Sequence, residues 1–247
     1  MTQRCALITG GTTGLGEAIA RRLHDDGCTV LVTHMAGSAG AAEWQAQQAQ
    51  DGYSFKVYEV DVADYDSCQE LGKKIEADGF QVDILVNNAG ITRDSTFRKL
   101  VKEKWDAVLR TNLDSMYNVT ASYVEGMTTR GWGRIVNISS VNGTKGQFGQ
   151  TNYSAAKAGI QGFTKALAQE VARKGVTVNA VSPGYVATAM VEAVNPEILE
   201  KQIISQIPMG RLGRPQEVAA LVAFLCSEDA GYITGANMAI NGGMHMY

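Results

Sequence analysis

Short apolar runs and longer amphipathic stretches alternate along the whole chain. The runs CALIT (5–9), TVLVT (29–33), SFKVYEV (54–60), VDILVN (82–87), RIVNIS (134–139), VTVNAVS (176–182) and NMAIN (237–241) predict seven strands. Several are apolar at nearly every position, which fits parallel strands covered on both faces better than strands with one wet side. Between them, helical spacing predicts helices over Gly14–His24, Ala41–Gln50, Ser67–Ala77, Lys102–Met127, Tyr153–Lys174 and Gln216–Ser227. This alternation predicts an α/β fold. Residues 1–247 would form a single doubly wound Rossmann-type domain, with a mostly parallel seven-stranded sheet and helices on both faces. One stretch, about residues 186–213, interrupts the alternation just after a strand's carboxyl end. In such a fold that is the place for a substrate lid, although a surface helix pair would also fill it.

The first strand runs straight into TGGTTGLG, residues 9–16, and a helix follows. A strand, a glycine-rich turn and a helix N-terminus together make a dinucleotide site, because main-chain N–H groups and the helix dipole hold a pyrophosphate. Gly10, Thr12, Thr13, Gly14, Leu15 and Gly16 are the candidate residues. Their glycines follow a G-x-x-x-G-x-G order and not G-x-G-x-x-G, and a tight turn alone would also need them. Two further strand ends support the reading. Asp61 and Val62 end the third strand, where an adenine would lie, and Asn88, Ala89 and Gly90 end the fourth beside a ribose. Whether the cofactor is NADPH or NADH is open at this level. After the second strand no acid precedes Glu43, and no Arg or Lys lies between Val32 and Lys56. His34 and Ser38 are the polar candidates there, and an arginine placed at Gly40 is expected to favour NADPH.

The fifth strand ends in Ser139 and Ser140, and Tyr153 and Lys157 follow with helical i,i+4 spacing. Asn152 is expected to cap that helix and put Tyr153 in its first turn. The helix dipole and the Lys157 ammonium would then both lower the phenol's pKa from its ordinary value near 10. Hydride addition to a carbonyl makes an alkoxide, which needs a proton donor and a hydrogen-bond donor. Tyr153 fits the first role, Ser140 the second, and Lys157 the tuning of Tyr153 and a hold on the cofactor ribose.

Composition narrows the classes. The net charge of the 247 residues is −3, with charges of both signs scattered, so no nucleic-acid partner is expected. Cys5, Cys28, Cys68 and Cys226 and the three histidines show no ligand spacing, so no metal is expected and the thiols read as buried and reduced. The N-terminal apolar run is too short for a signal peptide. No run approaches the roughly 20 apolar residues of a membrane span, which points to a cytoplasmic protein without a membrane partner.

TGGTTGLG, NNAG, Asn112 in TNL, Ser140, YSAAK and SPGYVAT together resemble the short-chain dehydrogenase/reductase family over essentially the full length. The resemblance implies that Ser140, Tyr153 and Lys157 act as above, that Asn112 supports a proton-relay water, and that Pro183, Gly184, Val186 and Thr188 contact the nicotinamide end. NNAGITRD, GWGRIVNISSVNG, KGQFGQTNYS and NGGMHMY are similar to the acetoacetyl-CoA reductases of polyhydroxybutyrate synthesis. Those enzymes reduce acetoacetyl-CoA to (R)-3-hydroxybutyryl-CoA, commonly with NADPH, and are typically tetramers. By that resemblance Asp94, Gln147, Phe148, Gln150 and Tyr185, with Ser140 and Tyr153, line an acyl-CoA site, and a homotetramer is expected. Members of that group can carry an arginine after the second strand, where this chain has AGSAGAA. The alternative is a 3-oxoacyl-acyl-carrier-protein reductase, which shares NNAGITRD. Arg93, Arg98, Lys99, Lys102 and Lys104 would meet an acidic carrier, although such a run also serves as a solvated helix face. A non-catalytic nucleotide sensor is compatible with the fold, but the Asn112, Ser140, Tyr153 and Lys157 set argues against it.

Overall fold

Seven strands form one sheet in the order β3-β2-β1-β4-β5-β6-β7. They are β1 (Cys5–Ile8), β2 (Thr29–His34), β3 (Phe55–Glu59), β4 (Ile84–Asn87), β5 (Gly133–Ile138), β6 (Val176–Pro183) and β7 (Asn237–Ile240). Every pairing is parallel. The computed structural model describes residues 3–35, 37–188, 191, 197 and 199–246. The strand order reverses between β1 and β4, which opens a crevice at the carboxyl ends of these two strands.

Side-chain alternation within each strand feeds two cores. Ala6, Ile8, Val30, Val32 and Val86 pack on one face against α1 (Gly14–Asp25) and the helix that closes the chain (Pro215–Cys226). Cys5, Leu7, Leu31, Leu85 and Ile135 pack on the other face against α3 (Tyr65–Ala77) and the later part of α8 (Thr151–Val171). A strand buried on both faces has no polar side, which is why its sequence reads as an unbroken apolar run. The remaining helices are α2 (Ala41–Gln50), α4 (Lys102–Leu109), α5 (Ser115–Thr120), α6 (Val124–Arg130) and α7 (Asn142–Lys145), and Pro215–Cys226 is α9.

Two expectations need correction here. The helix anticipated over Lys102–Met127 is divided by a π turn at Arg110–Asp114 and by a break before Val124. The cause is tertiary. Asn112 Oδ1 accepts from Ile91 N at 2.8 Å and Asn112 Nδ2 donates to Ile91 O at 2.8 Å, which clamps the turn to the loop after β4. Asn152 is not the cap of α8. That helix starts at Thr151 with Gln150 as its N-cap, so Asn152 lies inside the first turn, where its Oδ1 accepts from Tyr153 N at 2.8 Å. Tyr153 is still in the first turn, and one of its otherwise unpaired N–H groups is satisfied locally.

The interruption anticipated at 186–213 is present at its base. Val186 bridges Gly213 in parallel register, with Ala187 N donating to Gly213 O and Gly213 N donating to Tyr185 O. Residues 189, 190, 192–196 and 198 of this stretch lie outside the described residues. The returning arm is tied down by Met209 N donating to Gly242 O and by paired Arg211–Glu217 hydrogen bonds.

Candidate active site

The crevice between β1 and β4 is held by Thr9 and Asn88. Thr9 Oγ1 accepts from Asn88 N at 2.9 Å and from Ala89 N at 3.0 Å. Asn88 Nδ2 donates to Thr9 O and Gly10 O at 2.9 and 3.1 Å. The Asn88 side chain therefore fastens the glycine turn to β4, and the exposed edge is left to Ala89 and Gly90. Thr9 escaped sequence reasoning; its signal was a hydroxyl at the last strand position before Gly-Gly. Gly16 packs directly under the turn. A methyl there would lie 2.2 Å from Gly10 O and 2.6 Å from Asn88 Nδ2. Thr13 is the N-cap of α1 without a side-chain cap bond, so the first-turn N–H groups near Thr12, Gly14 and Leu15 have no capping side chain. Thr188, at the base of the insert, comes within van der Waals reach of a methyl built at Gly14.

The other cofactor candidates are more scattered. His34 Nδ1 lies 3.0 Å from both Met35 O and Ser38 Oγ, which closes the loop after β2 on itself. Asp61 and Val62 lie just past the end of the edge strand β3. Asp61 Oδ1 accepts from Ala63 N, and Val62 O accepts from Asn118 Nδ2. Pro183 ends β6 and its carbonyl accepts from Val141 N at 2.9 Å, joining the nicotinamide-side turn to the loop that carries Ser140.

The four reacting candidates converge. Ser140 lies near enough to the Tyr153 hydroxyl to favour its ionised form. Lys157 Nζ stands 5.5 Å from the Tyr153 ring centre and donates to Ile138 O at 2.7 Å. A methyl built at Gly90 would meet Asn112 Oδ1 at 3.2 Å and Lys157 Nζ at 3.7 Å, so Asn112 and Lys157 flank one point. Both ends of the Asn112 side-chain amide are occupied by Ile91.

The electrostatics differ from expectation. Burial pushes the Tyr153 phenol above its ordinary value, Asp94 and Tyr185 push the same way, and Ser140 offsets only part of this. Burial also lowers Lys157 to about 8, so its charge is a weaker acidifying influence than helical spacing suggested. The local dipole and the i+4 lysine were legible; the desolvation that outweighs them was not.

Among the substrate candidates, Asp94 Oδ2 accepts from Gln150 Nε2 at 2.8 Å, and Asp94 faces both Tyr153 and Tyr185. Gln147 Oε1 accepts from Lys145 Nζ at 3.0 Å. Phe148 does not join this cluster: it is 87% exposed. A cavity of about 130 Å³ lies under the base of the insert, lined by Tyr185, Ile207, Met209, Val218 and Ile240. Among the described residues there is no group of three or more metal-ligating side chains, and no helix is long and apolar enough to cross a membrane. Cys5, Cys68 and Cys226 are buried free thiols.

A doubly wound parallel sheet with a glycine turn at its switch point, and a tyrosine-lysine helix facing it, defines a nicotinamide-dependent reductase of the short-chain type. The chain belongs to the short-chain dehydrogenase/reductase family of NAD(P)-dependent oxidoreductases, and residues 10–245 match the family model described as enoyl-(acyl carrier protein) reductase. It is 55% identical over 246 residues to an acetoacetyl-CoA reductase of Cupriavidus necator, with all of both chains covered. It is 56% identical over 245 residues to nodulation protein G of Azospirillum brasilense, with 99% of each chain covered. Against a 3-oxoacyl-[acyl-carrier-protein] reductase of Haemophilus influenzae the identity is 45% over 246 residues, again with all of both chains covered. The residues present fit a nicotinamide cofactor. The glycine turn leaves room for close approach, α1 opens without a capping side chain, and the buried Lys157 ammonium has one hydrogen-bond acceptor among the described residues.

Proposed function

We propose that the chain is an acetoacetyl-CoA reductase that forms (R)-3-hydroxybutyryl-CoA. The observation that carries this is the half-buried Tyr153 beside Ser140, with Lys157 behind its ring and the Asp94–Gln150 pair nearby. The full-length likeness to acetoacetyl-CoA reductases supports the substrate. A bound nicotinamide cofactor supplies hydride to the 3-oxo carbon. Ser140 donates a hydrogen bond to the carbonyl oxygen, and Tyr153 gives that oxygen its proton as charge develops. The raised phenol pKa suits this direction, because Tyr153 stays protonated at neutral pH. Lys157 has N–H groups to spare for a ribose hydroxyl, and Asn112, across Gly90 from it, supports a relay water. Gln147 and Tyr185 form the acyl-CoA side of the pocket, and the 186–213 insert acts as its lid within one domain.

Consumption of reduced cofactor with acetoacetyl-CoA and with an acetoacetyl carrier-protein thioester tests the reading. No oxidation with either overturns it, and preference for the carrier thioester transfers it to fatty-acid synthesis. That second reading is favoured by the exposed basic run at Arg93, Arg98, Lys99, Lys102 and Lys104, of which Lys102 is already paired with Asp106.

NADH is the proposed preference over NADPH. The loop after β2 offers His34 and Ser38, which bond each other, and no cation for a 2′-phosphate. The missing acid at the strand end makes rejection of NADPH modest. Gly40 is a poor place to reverse the preference, because its φ is +91° at the start of α2. Ala39 is exposed and free of that constraint. Ala39→Arg is expected to raise the NADPH/NADH ratio of kcat/KM by about 10-fold, the effect of one added phosphate contact; an unchanged ratio removes this loop from the phosphate's path. A homotetramer is also proposed, supported by the exposed apolar side chains Tyr117, Phe224 and Tyr232. A monomeric mass by light scattering would refute it.

A further inference from the structure

Behind the reacting end runs a line of hydrogen bonds with a fixed direction. Asp94 Oδ2 accepts from Gln150 Nε2 at 2.8 Å. A carboxylate only accepts, so the Gln150 end that faces it must be its NH₂ group. Gln150 Oε1 then points back into the protein and accepts from Asn142 Nδ2 at 2.9 Å. The orientation of both amides follows from the charge at Asp94. It leaves Asn142 Oδ1 buried and without a partner among the described residues. The same Asn142 donates its main-chain N–H to Ser140 Oγ at 3.1 Å. Because Ser140 Oγ accepts there, its own proton remains available to donate. Asn142 is 7% exposed and Ser140 8%, so water competes poorly for the bond between them, while the Asp94–Gln150 end of the line is exposed.

We propose that Asn142 is a positioning residue for the reduction, tying the Ser140 hydroxyl and the Asp94–Gln150 wall of the pocket into one unit whose direction Asp94 sets. The inference rests on the reductase reading of this site. Asn142 touches neither reacting atoms nor cofactor. It acts through Ser140 on one side and Gln150 on the other. It adds a residue to the site from the first position of α7, where NISSVNG offered no periodic or spacing signal.

Asn142→Asp tests this in the full chain. The side chain keeps its shape but can no longer donate, so Gln150 must turn round and set its oxygen against Asp94. The expected result is a loss in kcat/KM of about 10-fold or more, with KM for the thioester raised and cofactor affinity unchanged. Adding Asp94→Asn to that variant restores every bond with the direction reversed, since the new amide at 94 donates to Gln150 and Gln150 donates to the new carboxylate at 142. The double variant is expected to recover most of the loss. The proposal is overturned if N142D matches the unmodified chain, or if D94N and N142D combine as independent losses. Should N142D fail to fold, Asn142→Ala serves instead: the same fall in kcat/KM at unchanged cofactor affinity is expected, and an unaltered kcat/KM overturns the proposal. Rates are read with whichever thioester the unmodified chain reduces. Failure on acetoacetyl-CoA then counts against the substrate and not against Asn142.

Discussion

Tyr153→Phe lowers turnover by about three orders of magnitude and leaves cofactor affinity within a factor of about two. The alkoxide made by hydride addition needs a proton at the moment of reaction. Ser140 can steady the oxygen but is far too weak an acid to supply that proton. Lys157 is held beside the Tyr153 ring and bonded to Ile138 O, and that geometry does not replace a hydroxyl at the reacting oxygen. Phenylalanine keeps the ring and its packing, so the loss isolates the proton. Initial rates measure turnover, and quenching of cofactor fluorescence measures binding. Turnover near that of the unmodified chain would remove Tyr153 from the chemistry.

Gly16→Ala weakens the cofactor end. The added methyl would sit 2.2 Å from Gly10 O and 2.6 Å from Asn88 Nδ2, and neither atom has freedom to retreat. Asn88 is held by two carbonyls of the turn, and Thr9 pins the main chain of the next loop. Relief requires lifting the turn off β4, which spoils the surface a pyrophosphate would occupy. Overpacking of this kind costs about 1–3 kcal/mol, and in a chain of this size that is a melting point lower by roughly 5 °C. Cofactor affinity is expected to fall by at least about 10-fold. Unchanged melting and binding would mean that the turn is looser than its hydrogen bonds indicate.

The sheet was legible because its signal is local. Leu7, Ile8, Val30, Leu31 and Val32 are apolar on both faces of their strands, and short β-branched runs that end at turn residues separate that pattern from a buried helix. The division of the Lys102–Met127 helix was invisible for the opposite reason. Helical periodicity continues through Arg110–Asp114, and only the approach of Ile91, distant in sequence, makes the turn widen there. Tyr153 and Lys157 were legible as a pair, since i,i+4 spacing survives any small error in where the helix starts. The sign of the phenol's shift was not, because burial depends on everything that surrounds the ring. Asn88 was found by position, and its duty of fastening the turn through Thr9 O and Gly10 O was not legible. Thr9 acts through hydrogen bonds that join the ends of β1 and β4, and Asn142 through bonds to Ser140 and to the N-cap of α8, and no spacing rule connects those places.

The two-sided bridge between Val186 and Gly213 has a consequence for how this chain can change. Because both ends of the insert are fastened to the sheet and to each other, the segment between them is a closed loop with its entropy cost already met at the base. Doubling such a loop adds only about 0.6 kcal/mol. Its length can therefore change at small cost while strands β6 and β7 stay in register.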